Sequence, residues 1–320
     1  MPYTTFSGIL GQEKAKNFLK EVVRRGKVPH AYLFTGISGI GKTVAAKALA
    51  LALNCRDPAE GESCGHCPSC RQLGGENVPD FIVIKPQGQT IKIEQIRELN
   101  RALGFAPVVG KYRICLVKQA ETMTGEAANS FLKTLEEPPP GNILILNATE
   151  PRDLLPTIVS RCQRVPFHPL RERQVAWWLV KKKGLKEETA TVLARISGGS
   201  LGRALSMCES DFFEKRQDWI SRLTALPDLS LDKTMTLALD CAKEHKKGPS
   251  DRSDAGESGV SEMLGIWMGW YRDLLVLKVG GESHLLVNPD FSHKLKIVAR
   301  GFTMERLTQS LGLLDQAERG

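Results

Sequence analysis

Nowhere in this chain of 320 residues is there an apolar run approaching the ~20 residues that a membrane-spanning helix needs. Its first residues, MPYTTFSGILGQEKAK, lack the basic stretch and apolar core of a secretory leader. Both absences point to a cytoplasmic protein with no membrane partner. There is no internal repeat, and from about Arg171 onward there are no strand patterns. A disulfide scaffold is not expected either, because cytosolic chains of this size rarely carry one. Eight cysteines are nevertheless present, and they are unevenly placed. Cys115, Cys162, Cys208 and Cys241 are scattered, whereas Cys55, Cys64, Cys67 and Cys70 crowd into CRDPAEGESCGHCPSC.

The bulk composition is that of a soluble globular protein, 42% hydrophobic and 25% charged. The length suffices for two or three domains, each with its own core. The formal net charge is +8, with basic stretches in WWLVKKKGLK at 177–186 and KLKIVAR near the end. That balance permits contact with nucleic acid or an acidic partner, and equally a basic surface kept for solubility.

From Thr4 to about Pro169, apolar runs alternate with helical spacing. AYLFT, DFIVIKP, RICLV, NILILNAT and RVPF read as strands; KTVAAKALALALNC, KIEQIRELNRALGF and GEAANSFLKTLEE read as helices. This alternation predicts a parallel sheet covered by helices on both faces. Three short helices follow, RERQVAWWLVKKKG, KEETATVLARIS and SLGRALSMCES, and the remainder is helical. The exception is HKKGPSDRSDAGESGVS, 245–261, too polar to bury apolar area and expected to be a mobile or disordered loop. Trp267, Trp270 and Tyr271 suit either a core or an interface, with core favoured.

Gly36-x4-Gly41-Lys42-Thr43, GISGIGKT, lies between a predicted strand and a predicted helix, the context a phosphate-binding loop requires. Gly36, Gly39 and Gly41 let backbone N–H groups turn toward phosphate oxygens at a helix N-terminus. Lys42 would reach the β- and γ-phosphates and Thr43 would ligate Mg²⁺. The bland alternative is a glycine-rich turn that binds nothing.

What a nucleotide-hydrolysing site also needs is missing. A carboxylate is expected where the next buried strand, ICLV, ends, and there the chain offers Lys118 and Gln119. Neither ligates Mg²⁺ usefully, although Lys118 adds positive charge that favours holding a nucleotide. Glu121 could substitute only if the turn after the strand were irregular.

The cysteine cluster, Cys55-x8-Cys64-x2-Cys67-x2-Cys70, on short loops rich in Gly and Pro, suits a tetrahedral structural Zn²⁺ with no open position for catalysis. His66 is a possible substitute ligand; free thiols or an iron–sulfur cluster are the alternatives. Two arginines stand near glycine or helix ends: Arg161 in TIVSRCQRV and Arg203 in GGSLGRAL. Either could approach a γ-phosphate, in cis or from a neighbouring subunit, or simply be a surface arginine.

HAYLFTGISGIGKT, the cysteine cluster, NSFLKTLEEPP, NATEP and LPTIVSRC together resemble the bacterial DNA polymerase III clamp-loader subunits of the AAA+ class. The likeness is strong from about residue 5 to 205. It implies an AAA+ nucleotide-binding domain at 1–169 with a zinc module at 55–70, a helical lid at 170–208 and a helical collar at 209–320. It also implies a hetero-pentameric ring with tau/gamma motor and delta subunits, which opens the sliding clamp and loads it on primer-template DNA in the nucleoid-associated replisome. Thr149 matches the first sensor position and Arg203 the second. Ser160, Arg161 and Cys162 match the motif whose arginine serves the neighbouring subunit's ATP site. Motor subunits carry an Asp-Glu pair where this chain has Lys118 and Gln119. The pattern therefore resembles the delta-prime type, which binds ATP or ADP statically if at all, with Mg²⁺ left open. The competing expectations are an active motor ATPase and a self-standing zinc protein that binds nucleic acid.

Overall fold

The computed structural model describes residues 4–75, 78–226, 229–246 and 259–319. The chain divides into two units, Met1–Leu170 and Arg171–Gly320. The first contains, in order, α1 (Glu13–Arg25), β1 (Ala31–Thr35), α2 (Lys42–Asn54), α3 (Pro68–Leu73), β2 (Phe81–Ile84), α4 (Ile93–Leu103), β3 (Arg113–Val117), α5 (Gly125–Glu136), β4 (Asn142–Ala148), α6 (Pro156–Val159) and β5 (Gln163–Pro166).

The five strands form one parallel sheet in the order β2-β3-β4-β1-β5. Every residue of β1, β3 and β4 is buried, which is why these strands read as unbroken apolar runs rather than alternating ones. Period-two alternation still sorts the side chains. Tyr32, Phe34, Ile114, Leu116, Ile143 and Ile145 pack on the side of α1 and α2. Leu33, Cys115, Val117, Leu144 and Leu146 pack on the side of α4, α5 and α6. This is the α/β architecture expected from the pattern, a parallel sheet with helices on both faces, and the one the resemblance to AAA+ subunits implies. It leaves the C-terminal edge of β1, β3 and β4 as the place where loops can build a site.

The second unit is helical among its described residues: α7 (Glu172–Lys183), α8 (Glu187–Ile196), α9 (Leu201–Glu209), α10 (Phe212–Ala225), α11 (Leu231–Lys246), α12 (Gly259–Lys278), α13 (Ser292–Arg300) and α14 (Met304–Arg319). Of the polar stretch 245–261, residues 247–258 lie outside the described residues, while its first two residues end α11 and its last three begin α12. Trp270 is fully buried. Trp267 donates its indole N–H to the Trp219 carbonyl, and Tyr271 stacks edge-on with Phe302. All three aromatics are therefore packed within their own unit. A buried Arg216 joins α10 to the segment before α13, donating to Asn288 and to both oxygens of Asp290. Among the described residues, no helix is long and apolar enough to cross a membrane.

Candidate nucleotide and metal sites

The turn from β1 into α2 works only with glycine. Gly36 has φ 138°, and a Cβ there would stand 2.5 Å from the Phe167 carbonyl oxygen. Its N–H donates to the carbonyls of Ala148 and Thr149, so the loop is laced to the end of β4. Gly41, φ 110°, precedes α2, and no side chain caps that helix start. The first-turn N–H groups thus face the loop, the geometry that attracts an anion. Lys42 Nζ donates to the carbonyls of Gly36 and Ile37, curling over the loop.

Thr43 Oγ1 accepts a hydrogen bond of 3.4 Å from Asn147 Nδ2, and Asn147 Oδ1 is buried without a partner among the described residues. Asn147 escaped the sequence reading because it lies inside NILILNAT. A polar residue in an otherwise apolar strand was the available signal. Its place on the α2 side follows from the alternation of Ile143, Ile145 and Asn147.

The end of β3 is irregular. Lys118 still donates its N–H to Ile84, so the ladder continues through it. Following Ile114 and Leu116, its side chain leaves the sheet on the α2 side. Gln119 then turns left-handed, φ 49° and ψ 52°, with its side chain exposed, and a 3₁₀ turn covers Ala120–Thr122. Ile91 clamps this turn from the side through its own N–H and carbonyl. The result is that Glu121 swings back to the sheet edge, where Thr149 Oγ1 donates to Glu121 Oε1 at 3.0 Å. The other carboxylate oxygen, Oε2, is buried without a hydrogen-bond partner among the described residues.

Gly36, Lys42, Thr43 and Thr149 are thus gathered at one edge of the sheet, with Lys118 directed to its α2 side. Arg161 is not with them. It follows α6, two residues before β5, and β5 runs parallel to β1 with Gln163 beside Tyr32 and Pro166 beside Thr35. Arg161 lies before the start of this strand pair and the phosphate loop lies beyond its end. The separation is on the order of 15 Å of strand, more than one side chain spans. Its guanidinium is instead held locally, by Thr157 O at 2.9 Å and Glu136 Oε1 at 2.5 Å. Cys162 beside it is buried, and burial pushes its thiol up to about 12. Arg203 belongs to the second unit. Ser200 caps α9 by accepting the Arg203 N–H, and the guanidinium lies over Gly265 of α12.

The Sγ atoms of Cys55, Cys64, Cys67 and Cys70 all lie within 4.8 Å of one another. A tetrahedral ion with Zn–S near 2.3 Å places its sulfurs roughly 3.8 Å apart, so the cluster fits one ion with slight contraction. Backbone N–H groups of Cys64, Cys67 and Cys70 donate to the sulfurs of Cys55, Cys64 and Cys67 in turn. Such bonds favour thiolate. Burial would raise the Cys67 thiol, but N–H groups from Arg56 and Cys70 and the neighbouring thiols outweigh it and hold it at about 6. These cysteines are free thiols, which excludes disulfides among them. His66 turns away to the Cys64 carbonyl. The metal-capable group is therefore four sulfurs, with no histidine in it.

This cysteine module is tied to the start of the chain. Glu62 accepts from the N–H groups of Phe6 and Ser7 and pairs with Lys20 at 2.8 Å. Gly61 presses on α1 so closely that a Cβ would stand 2.6 Å from the Lys20 carbonyl.

A sequence model of the family described as DNA polymerase III, delta subunit, matches residues 11–171. The chain is 28% identical to DNA polymerase III subunit delta' of Bacillus subtilis, over 96% of this chain and 90% of that protein. It is 30% identical to subunit delta' of Escherichia coli, over 69% of this chain and 72% of that one. It is 34% identical to the E. coli tau subunit over 64% of this chain, which spans only 32% of tau. With half its length matched by the family and delta' relatives aligned along most of their own length, the chain belongs to the DNA polymerase III delta subunit family.

Proposed function

We propose that this chain is a clamp-loader subunit of the delta-prime type, a stator that donates Arg161 to the ATP site of a neighbouring subunit while helping load a sliding clamp onto primed DNA. The carrying observation is the position of Arg161 at the sheet edge opposite the chain's own phosphate loop. An arginine there is too far from its own phosphate loop to serve its own nucleotide, which supports a role at another subunit's. Lys118 and Gln119 at the end of β3 support the same reading, since the chain lacks the carboxylate pair that turnover needs at that position.

On this reading, the nucleotide-binding residues for ATP or ADP are Gly36, Gly39, Gly41, Lys42, Thr43, Thr149 and Arg203, with residues 170–208 forming the lid. The four cysteines hold a structural Zn²⁺. Residues 209–320 form the collar that joins tau/gamma and delta subunits in a ring in the cytoplasm. Contact with primer-template DNA is to the phosphate backbone, hence salt-sensitive and indifferent to sequence. Arg161→Ala should lower ATP hydrolysis by the assembled ring on the order of 10³-fold at the affected site, and leave nucleotide binding by this chain unchanged. Normal hydrolysis by a ring carrying that substitution would refute the proposal.

One observation favours a second reading, an active motor ATPase: the left-handed Gln119 brings Glu121 to Thr149 at the nucleotide edge. Turnover of ATP with Mg²⁺ by the purified chain, abolished by Lys42→Ala, would establish it.

A further inference from the structure

Arg161 does not hang free at the end of α6. Its N–H donates to Ile158, its Nη1 to the Thr157 carbonyl at 2.9 Å, and its Nη2 to Glu136 Oε1 at 2.5 Å. Glu136 is the last residue of α5, and Pro138, Pro139 and Pro140 follow, so the helix stops there and the carboxylate has a defined place. Two different helices thus grip one guanidinium from two sides.

A guanidinium has five N–H donors in a fixed plane. The contacts to Thr157, Ser160 and Glu136 use three at most. Donors remain for a phosphate oxygen while the carboxylate stays in place. The pair is about one-third exposed at Arg161 and one-half at Glu136, so it contributes little to folding. Its value is orientation. An arginine side chain has many rotamers, and an unheld one must lose them on reaching a neighbour's site.

We propose that Glu136 is a positioning residue for Arg161, fixing the guanidinium plane so that it enters the neighbouring subunit's site already aimed. The inference rests on the reading of Arg161 as the donated arginine.

The experiment is steady-state ATPase of the reconstituted clamp-loader complex carrying Glu136→Ala, Glu136→Gln, Arg161→Ala, or Glu136→Ala with Arg161→Ala. Glu136→Ala should lower kcat about ten- to a hundredfold, with KM unchanged. Glu136→Gln, which keeps an acceptor oxygen at the same reach, should recover most of that loss. Added to Arg161→Ala, the Glu136 change should do nothing further. Ring assembly by gel filtration and the unfolding midpoint of the free chain should match the unsubstituted protein. If Glu136→Ala retains full kcat, or if its loss multiplies with that of Arg161→Ala, the inference is overturned. Should Glu136→Ala fail to fold, Glu136→Gln carries the same double-substitution test, with a smaller loss that must again vanish without Arg161. If Arg161→Ala itself has no effect, the stator reading fails instead.

Discussion

The Thr149 hydroxyl donates a hydrogen bond of 3.0 Å to Glu121 Oε1, while the carbonyl of the same Thr149 accepts the N–H of Gly36. One residue therefore links Glu121 to the first glycine of the β1–α2 loop. A carboxylate so engaged is occupied with Thr149. On the stator reading its task is to fix Thr149 rather than to activate water.

Glu121→Gln is the discriminating substitution. The amide keeps the oxygen that accepts from Thr149 and removes the charge. The assembled ring should hydrolyse ATP within about twofold of normal, because turnover occurs in neighbouring sites. Affinity of the isolated chain for nucleotide should change only a few-fold. A ring whose turnover collapses with this substitution would show that Glu121 acts as a catalytic base, as the motor reading requires.

Lys118 supports a prediction about magnesium. Its side chain leaves the sheet on the α2 side, where Asn147 meets Thr43. At roughly 4 Å, in an effective dielectric near 20, an ammonium and a phosphate charge attract by about 4 kcal/mol before desolvation. That is enough to replace part of what a metal ion contributes. Nucleotide binding by the isolated chain, measured by calorimetry, should be nearly the same in Mg²⁺ and in EDTA. Lys118→Met should weaken it about tenfold in both, a change of about 1.4 kcal/mol. Lys118→Asp should make binding depend on Mg²⁺. A strict Mg²⁺ requirement in the unsubstituted chain would sink this idea.

These two predictions also mark where sequence reading stops. Residues 114–117, ICLV, read as a buried strand because all four are apolar enough for both faces, and alternation says on which side Lys118 emerges. The spacing Ile93, Ile96, Leu99, Leu103 gives a helix because those four positions share a face, and Ile96, Leu99 and Leu103 are buried in the core. What alternation cannot supply is the left-handed φ of Gln119, a conformation glutamine rarely takes. That one angle decides whether Glu121 points to Thr149 at the sheet edge or away. Glu136 and Arg161 are likewise 25 residues apart, and no periodicity relates them. The four cysteines were legible for the opposite reason: metal ligands recur at short, characteristic spacings.

Acid sensitivity should trace to Asp80. Its carboxylate is fully buried, accepts N–H bonds from Val108, Val109 and Gly110, and lies 3.5 Å from Arg113. Burial alone would raise its pKa, but the three N–H groups and the guanidinium outweigh it and hold the carboxyl below its usual range. A carboxyl lowered in the folded state stabilises above its unfolded value, about 3.9, and that stability is lost as pH falls through the folded value. Asp80→Asn should therefore cost about 3–5 kcal/mol at pH 7 by leaving Arg113 buried and uncompensated. The cost should shrink toward pH 3. All five tryptophans lie in the second unit, so amide hydrogen exchange in β3 and β4 is the suitable probe. An equal penalty at both pH values would rule out this linkage.

Removing metal should loosen more than the metal site. The cysteine module has little apolar core of its own, and its sulfurs stand close enough that without an ion only N–H···S bonds hold them. Glu62, between Cys55 and Cys64, carries the module's hold on Phe6, Ser7 and Lys20. Zinc analysis of the folded chain should give about one equivalent, and Cys70→Ala should give far less. On chelation, hydrogen exchange should rise across 55–72 and, through Glu62, at the amides of Phe6 and Ser7. It should not rise at the first turn of α2, whose helix is buried along most of its length in the main core. A chain that contains no metal when well folded, or whose exchange is unaltered by chelator, would show that the four thiols serve without an ion.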